Sequence, residues 1–274
     1  MLRLKCNLTR CALILLLINS AMIGSEGQSA KQRWKLVWQD EFNALDGSPI
    51  DKTKWTPEIG GHGWGNHELQ YYTDRIENAF HSKGSLVIKA IQEEFAGRSY
   101  TSARLTTKHT FTTTYGRFEA RIKLPRGQGI WPAFWLLGDD IGKVGWPKCG
   151  EIDIMELIGK QPATVHGTIH GPGYSGSKGI SSSHSLTEGK KFADAFHIFA
   201  VEWEPDVLRF YCDNVLYKTL TPADLPQGTT WVYNHPFFIL LNVAVGGDWP
   251  GAPDNTTVFP QEMLVDYVRV FKRD

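Results

Sequence analysis

From Trp34 onward the chain is a succession of short apolar runs, alternating with polar residues and cut by Gly, Pro, Asn and Asp. SLVIKA (85–90), TYGRFEARIKL (114–124), AFWLLG (133–138), HGTIHG (166–171), FHIFAVEWE (196–204), LRFYCDNVLYKTL (208–220), FFILLNVAVGG (237–247) and LVDYVRVFKR (264–273) are the clearest. A period of two puts alternate side chains on one face of an extended backbone, so these segments predict strands. No window has the apolar spacing of a long amphipathic helix. Many short strands with turn signals every few residues predict an antiparallel β-sandwich or barrel. No self-similar period divides the chain, so one domain over 34–273 is expected. The Gly/Ser-rich stretch 171–191 predicts a long surface loop. In FYCDNVLY, Asp213 and Asn214 predict the turn of a hairpin.

One strand-like segment breaks the pattern. GEIDIMELIG (150–159) carries Glu151, Asp153 and Glu156 among Ile, Met and Leu. Ionised carboxylates are almost never buried unless paired or at work. On a regular strand Glu151 and Asp153 share a face, and Glu156 points the other way. One extra residue, a β-bulge near Ile154 or Met155, returns Glu156 to the side of Glu151. Three acids then stand in a row on one surface, a layout suited to two-carboxylate glycoside chemistry. Crowding also pushes their pKa values apart, so that one stays protonated while another ionises. A calcium site or a solvated edge strand is the bland alternative, but calcium loops are Asp/Asn/Gly-rich turns, not Ile-spaced strands.

Charge narrows the partner. Lys plus Arg and Asp plus Glu both number 29. That balance argues against nucleic acid and fits a neutral polymer. The chain has 10 Trp, and indole faces stack well on the apolar faces of sugar rings. Trp131 and Trp135 share a strand face, and Trp146 lies just before the acidic segment. Proximity to the acids favours a binding surface over a core for all three. Asn66 follows a Gly-rich turn, where its amide either reads a sugar hydroxyl or closes an Asx turn. His170 lies one hairpin's length beyond the acids, in the cleft or in a structural hydrogen bond.

The N-terminus has Arg3, Lys5 and Arg10, an apolar run over 12–18 and small or polar residues over 19–30. This is the pattern of a secretory signal peptide, taken as 1–27, and it predicts a secreted or periplasmic protein. No other stretch is long enough to cross a membrane as a helix. Without the signal only Cys149 and Cys212 remain, either as free thiols or as a single bridge. Asn255 opens an N-x-T sequon.

The chain resembles glycoside hydrolase family 16, and within it the laminarinase-type endo-β-1,3-glucanases. The resemblance rests on WQDEF (38–42), GGHGWGNHELQYYT (60–73), YGRFEARIKLPRGQGIWPAFWLLG (115–138), GWPKCGEIDIMELIG (145–159), HGTIH (166–170), FHIFAVEW (196–203), LNVAVGGDWPG (241–251) and VDYVRV (265–270). It implies a jelly-roll β-sandwich of two antiparallel sheets with a concave substrate cleft. It implies Glu151 as nucleophile, Glu156 as general acid/base and Asp153 as their helper. Asn66, Trp131, Trp135, Trp146 and His170 are then substrate-binding residues. The implied substrate is β-glucan, cleaved internally with retention by a monomer that uses no catalytic cofactor. The resemblance also implies a structural Ca²⁺ held by Glu41, Gly84 and Asp266, the first two through backbone carbonyls. Two alternatives stay open: a non-catalytic β-glucan recognition protein, and a family 16 hydrolase of mixed-linkage glucan, agar or carrageenan.

Overall fold

The computed structural model describes residues 34–274; the signal segment expected over 1–27 lies outside the described residues. Strands form where the alternation predicts them, because each has an apolar face to bury. In Gly116–Lys123, Phe118, Ala120 and Ile122 are buried while Arg117, Glu119 and Arg121 face outward. Every residue of Phe237–Val245 is buried. Other structure covers both of its faces, which is why its sequence reads as an apolar run.

The strands make two sheets. One has seven strands in the order Ile180–Ser185, Thr164–His170, Glu151–Glu156, Ile130–Gly138, Phe237–Val245, Arg104–Thr106, Thr56–Pro57. The other has ten, its path running Val215–Leu220, Val207–Cys212, His197–Glu204, Gly116–Lys123, Gln261–Arg273, Ser85–Phe95, Arg98–Ser102, Gln70–Tyr72. Trp34–Asp40 adds to Gln261–Arg273, and Ala79–Ser82 to Ser85–Phe95. The core lies between the sheets: Phe134, Leu136, Ile152, Ile154, Ile239 and Leu241 from the first share it with Phe118, Ile122, Phe199 and Val201 from the second. The pairing is antiparallel apart from Gln70–Tyr72, which runs parallel to Arg98–Ser102.

Two expectations change. The stretch 171–191 is not all loop, since Ile180–Ser185 pairs with Thr164–His170 from Thr164↔Ser185 to Ile169↔Ile180. Its sequence, ISSSHS, hides this because it is an edge strand that alternates only between half-buried and exposed. Hydroxyl pairs support the register: Thr168 Oγ1 donates to Ser181 Oγ at 3.0 Å, and Thr164 and Ser185 meet at 2.9 Å. Cys149 and Cys212 are two free, buried thiols, so the single-bridge reading falls. The hairpin is as expected, with Asp213 (φ 47°) and Asn214 (φ 65°) both left-handed in a two-residue turn.

Candidate active site

The acidic strand is the third of the seven-stranded sheet, and its register slips where the alternation requires. Against Ile130–Gly138, Asp153 pairs with Trp135 and Met155 with Phe134, so Ile154 is the extra residue. Against Thr164–His170, Asp153 pairs with Thr168 and Glu156 with His166, again one residue in excess. Ile154 and Met155 are both buried in the core. Two successive core-facing residues are the physical content of the bulge, and they turn Glu156 back to the face of Glu151 and Asp153.

No arginine or lysine pairs with any of the three acids among the described residues. Asp153 is 3% and Glu156 8% exposed. Trp146 Nε1 donates to Glu151 Oε2 at 3.0 Å, and Trp131 Nε1 donates to Glu156 Oε1 at 3.0 Å. His170 Nε2 lies 3.2 Å from Asp153 Oδ2 and 3.7 Å from Glu151 Oε1. Burial, then the negative charge of Asp153, pushes Glu151 up to about 8, against the pull of His170. The same two causes, in the same order, push Glu156 up to about 8. Burial raises Asp153 well above the usual carboxylate range. The row therefore resists carrying three charges at once, so that one acid can keep its proton beside an ionised neighbour, as a proton donor beside a nucleophile requires.

The structure brings four of the five predicted binding residues to this row. Trp131 and Trp146 bond the two glutamates directly, Trp135 is the cross-strand neighbour of Asp153, and His170 that of Glu151. Trp146 is 48% exposed, free to offer its ring to a ligand. Asn66 stands apart. It is exposed on the loop 60–68, its Nδ2 donates to Glu68 Oε1 at 3.3 Å, and its carbonyl accepts from Asp248 N at 2.9 Å. That backbone bond joins its loop to the loop 246–251, where Gly247 (φ 118°) passes between the Asn66 carbonyl and the Trp131 ring; a Cβ there would lie 3.2 Å from one and 3.4 Å from the other.

Some residues of the face escaped the sequence reading. Trp249, 39% exposed, meets Trp131 edge-on at 5.6 Å and His166 at 5.1 Å. His166 pairs with Glu156, its buried Nε2 has no partner, and burial lowers its pKa. His166 lies four residues before His170 on the same strand, so alternation puts it on the same face as His170. Arg104 lies over the rings of both Trp64 and Trp135, at 4.6 and 4.8 Å. Nothing local in ARLTT signals that, because the Trp135 strand lies two strands away in the sheet, across Phe237–Val245.

Two groups of oxygen and nitrogen donors bear on metals. Glu151, Asp153 and His170 offer ligand atoms within 4.8 Å of one another, but a cation there would occupy the carboxylates the row exposes. The segments that carry Glu41, Gly84 and Asp266 adjoin along the last strand. Asp40, just before Glu41, pairs with Val268; Leu86, just after the Gly84 turn, pairs with Val265; and Asp266 sits at the register slip between Val265 and Tyr267. The Glu41 carboxylate is held by Arg269 through two bonds of 2.7 Å, leaving its backbone carbonyl for any ligand role. Asp266 Oδ2 accepts from Arg121 at 2.7 Å, and its side chain is 35% exposed. Two backbone carbonyls and a carboxylate are the kind of donor a hard cation takes.

Comparison with known proteins places this geometry. The family model for glycosyl hydrolases family 16 matches residues 64–269. A beta-glucanase of Rhodothermus marinus is 43% identical over 281 residues, covering 99% of this chain and 97% of that protein. The catalytic domain of an endo-1,3-beta-glucanase (laminarinase) from Thermotoga petrophila RKU-1 superposes with a TM-score of 0.84 at 51% identity, over 89% of this chain and 99% of that one. An endo-beta-1,3-glucanase from Pyrococcus furiosus gives a TM-score of 0.85 at 47% identity, over 89% and 96%.

Proposed function

Because the chain belongs to glycoside hydrolase family 16, we propose that it is a secreted enzyme that cleaves internal β-1,3-glucosidic bonds of laminarin-type β-glucan with retention of configuration. The observation that carries this reading is the bulged strand that sets Glu151, Asp153 and Glu156 on one face. Glu151 attacks the anomeric carbon as the bond to the leaving oxygen breaks, and Glu156 gives that oxygen its proton. Trp131 occupies Glu156 Oε1, so the transferred proton sits on Oε2. Water then attacks the glycosyl-enzyme, Glu156 takes its proton, and the Glu151 ester bond breaks. The Trp146 N–H and His170 offset charge on Glu151 as it leaves. Asp153, between the two glutamates and 3.2 Å from His170 Nε2, adds the negative charge that raises both of their pKa values. The chemistry needs no cofactor.

The alternative of a non-catalytic recognition protein is disfavoured by the presence of all three acids. Reducing-end and product analysis on laminarin, lichenan, agarose and carrageenan in parallel tests the substrate. Laminarin is cleaved fastest, to oligosaccharides; no cleavage of laminarin, or faster cleavage of a galactan, refutes the assignment. We also propose that the backbone carbonyls of Glu41 and Gly84 and the Asp266 carboxylate hold a structural Ca²⁺ that ties the first, an early and the last strand together. Chelation then lowers Tm and leaves the rate nearly intact. A Tm unmoved by EDTA in calcium-free protein refutes it.

A further inference from the structure

A further acid is buried on this side of the molecule, and it belongs to none of the steps above. Glu68 is 4% exposed and precedes the short strand Gln70–Tyr72. Its Oε1 accepts from Asn66 Nδ2 at 3.3 Å, and its Oε2 accepts from Gln70 Nε2 at 2.6 Å and from the Tyr72 hydroxyl at 3.2 Å. That hydroxyl in turn accepts from Asn242 Nδ2 at 3.1 Å, and Asn242 Oδ1 accepts from Trp135 Nε1 at 2.8 Å. The donors thus run in one direction, Trp135 to Asn242 to Tyr72 to Glu68, with Asn66 feeding the same carboxylate from the other side. Tyr72 is fully buried and Asn242 nearly so. Such a chain is costly unless every member is satisfied, and a carboxylate that accepts on both oxygens is the group that terminates it.

The two ends of the chain reach the cleft face. Trp135 is the cross-strand neighbour of Asp153, and its ring is clamped by the Arg104 guanidinium at 4.8 Å. Asn66 is exposed on the loop that the backbone ties to the loop of Trp249. Both ends lie to one side of the catalytic row: Trp135 pairs with Leu240 of Phe237–Val245, and the Asn66 carbonyl accepts from Asp248 just beyond that strand. We infer that Glu68 is a positioning residue that fixes the Trp135 ring and the Asn66 amide together as one sugar-binding surface flanking the catalytic row. The inference rests on the glucanase reading, in that the ligand is an extended neutral glucan. A ring held through its N–H and its face offers a stacking plane at little entropic cost, which is the benefit of preorganisation.

The test is steady-state kinetics on a laminari-oligosaccharide series and on laminarin, with Glu68→Gln and Tyr72→Phe beside the unaltered protein. The Gln amide sets a donor against a donor at one end of the chain. The Phe keeps the ring and removes the link to Asn242. Each raises KM for laminarin and for the longer oligosaccharides about five- to tenfold, as expected for one lost buried hydrogen bond, and changes kcat less than twofold. The advantage of long over short substrates shrinks in both variants. The double variant is no worse than the poorer single one, because both cut the same chain. If Glu68→Gln does not fold, Tyr72→Phe alone carries the test. Loss of kcat in equal proportion at every chain length, or kinetics unchanged in a folded variant, overturns the inference. Failure of the unaltered protein to cleave laminarin overturns the glucanase reading instead.

Discussion

The two outer faces of the sandwich use the same residue types under opposite rules. On the ten-stranded sheet the acids are interleaved with arginines: Glu119 and Glu202 flank Arg117, Arg273 reaches Glu202 and Glu204, and Arg209 pairs with Glu204. On the seven-stranded sheet Glu151, Asp153 and Glu156 have no such partner, and burial lifts their pKa values. The first arrangement satisfies charge and tolerates change. The second leaves charge unsatisfied and spends stability on reactivity, a trade seen wherever function needs a strained site.

The largest effect expected from this contrast is on activity. Glu151→Gln lowers laminarin hydrolysis by roughly 10⁴-fold or more, and Glu156→Gln by about 10²–10⁴-fold, with circular dichroism unchanged. A variant at either position that keeps a tenth of the rate contradicts the assignment.

The next effect is on stability, and its sign is opposite to that of ordinary core substitutions. The ordinary value for these glutamates is 4.5, and in the folded protein they rise to about 8. Below about pH 4.5 both folded and unfolded forms are protonated, and the stability of the neutral buried acids is fully present. As pH rises through this window the unfolded chain ionises freely while the folded one resists, so that stability is lost up to about pH 8. Glutamine at either position escapes the loss. Its Tm therefore matches the unaltered protein near pH 4 and exceeds it by several degrees at pH 8, at roughly 2–4 °C per kcal/mol. A Tm difference that does not grow with pH breaks the comparison.

The smallest effect belongs to the arginine-bearing face. Glu204→Gln, partly exposed between Arg209 and Arg273, costs about 1 kcal/mol or less, more in low salt than in high, with kcat/KM unaltered. Urea titration at two ionic strengths measures it. A cost of several kcal/mol, or a loss of activity, would mean the two faces are not independent.

What the chain reveals of this contrast depends on how local the cause is. Alternation alone displays the strands of the core, and the break in alternation at Ile154 and Met155 displays the bulge and hence the acidic row. Trp131, Trp135, Trp146 and His170 were legible because they lie on the two strands that flank the acidic one or just before it, close to it along the chain. Ile180–Ser185 stayed hidden because an edge strand of serines has no apolar face to betray it. Glu68, Arg104, Asn242 and Trp249 stayed hidden for another reason. Their roles arise from contacts between strands and loops far apart in sequence, such as Asn242 with Tyr72 and Arg104 with Trp135. Arginine on the outer face and arginine over an indole look alike in a one-dimensional pattern.

The division of labour within the acidic row is the central claim, and azide rescue addresses it most directly. Glu151→Ala and Glu156→Ala are each given an activated aryl β-glucoside of the oligosaccharide and sodium azide, and the product anomer is read by proton NMR. Without the Glu156 side chain the glycosyl-enzyme still forms, because the aryl leaving group needs no proton, and azide attacks it to give the β-azide. Without the Glu151 side chain azide takes the nucleophile's place in a single inversion and gives the α-azide. The β-azide from Glu156→Ala and the α-azide from Glu151→Ala are the results predicted; reversed anomers, or no azide product from either variant, would contradict the account.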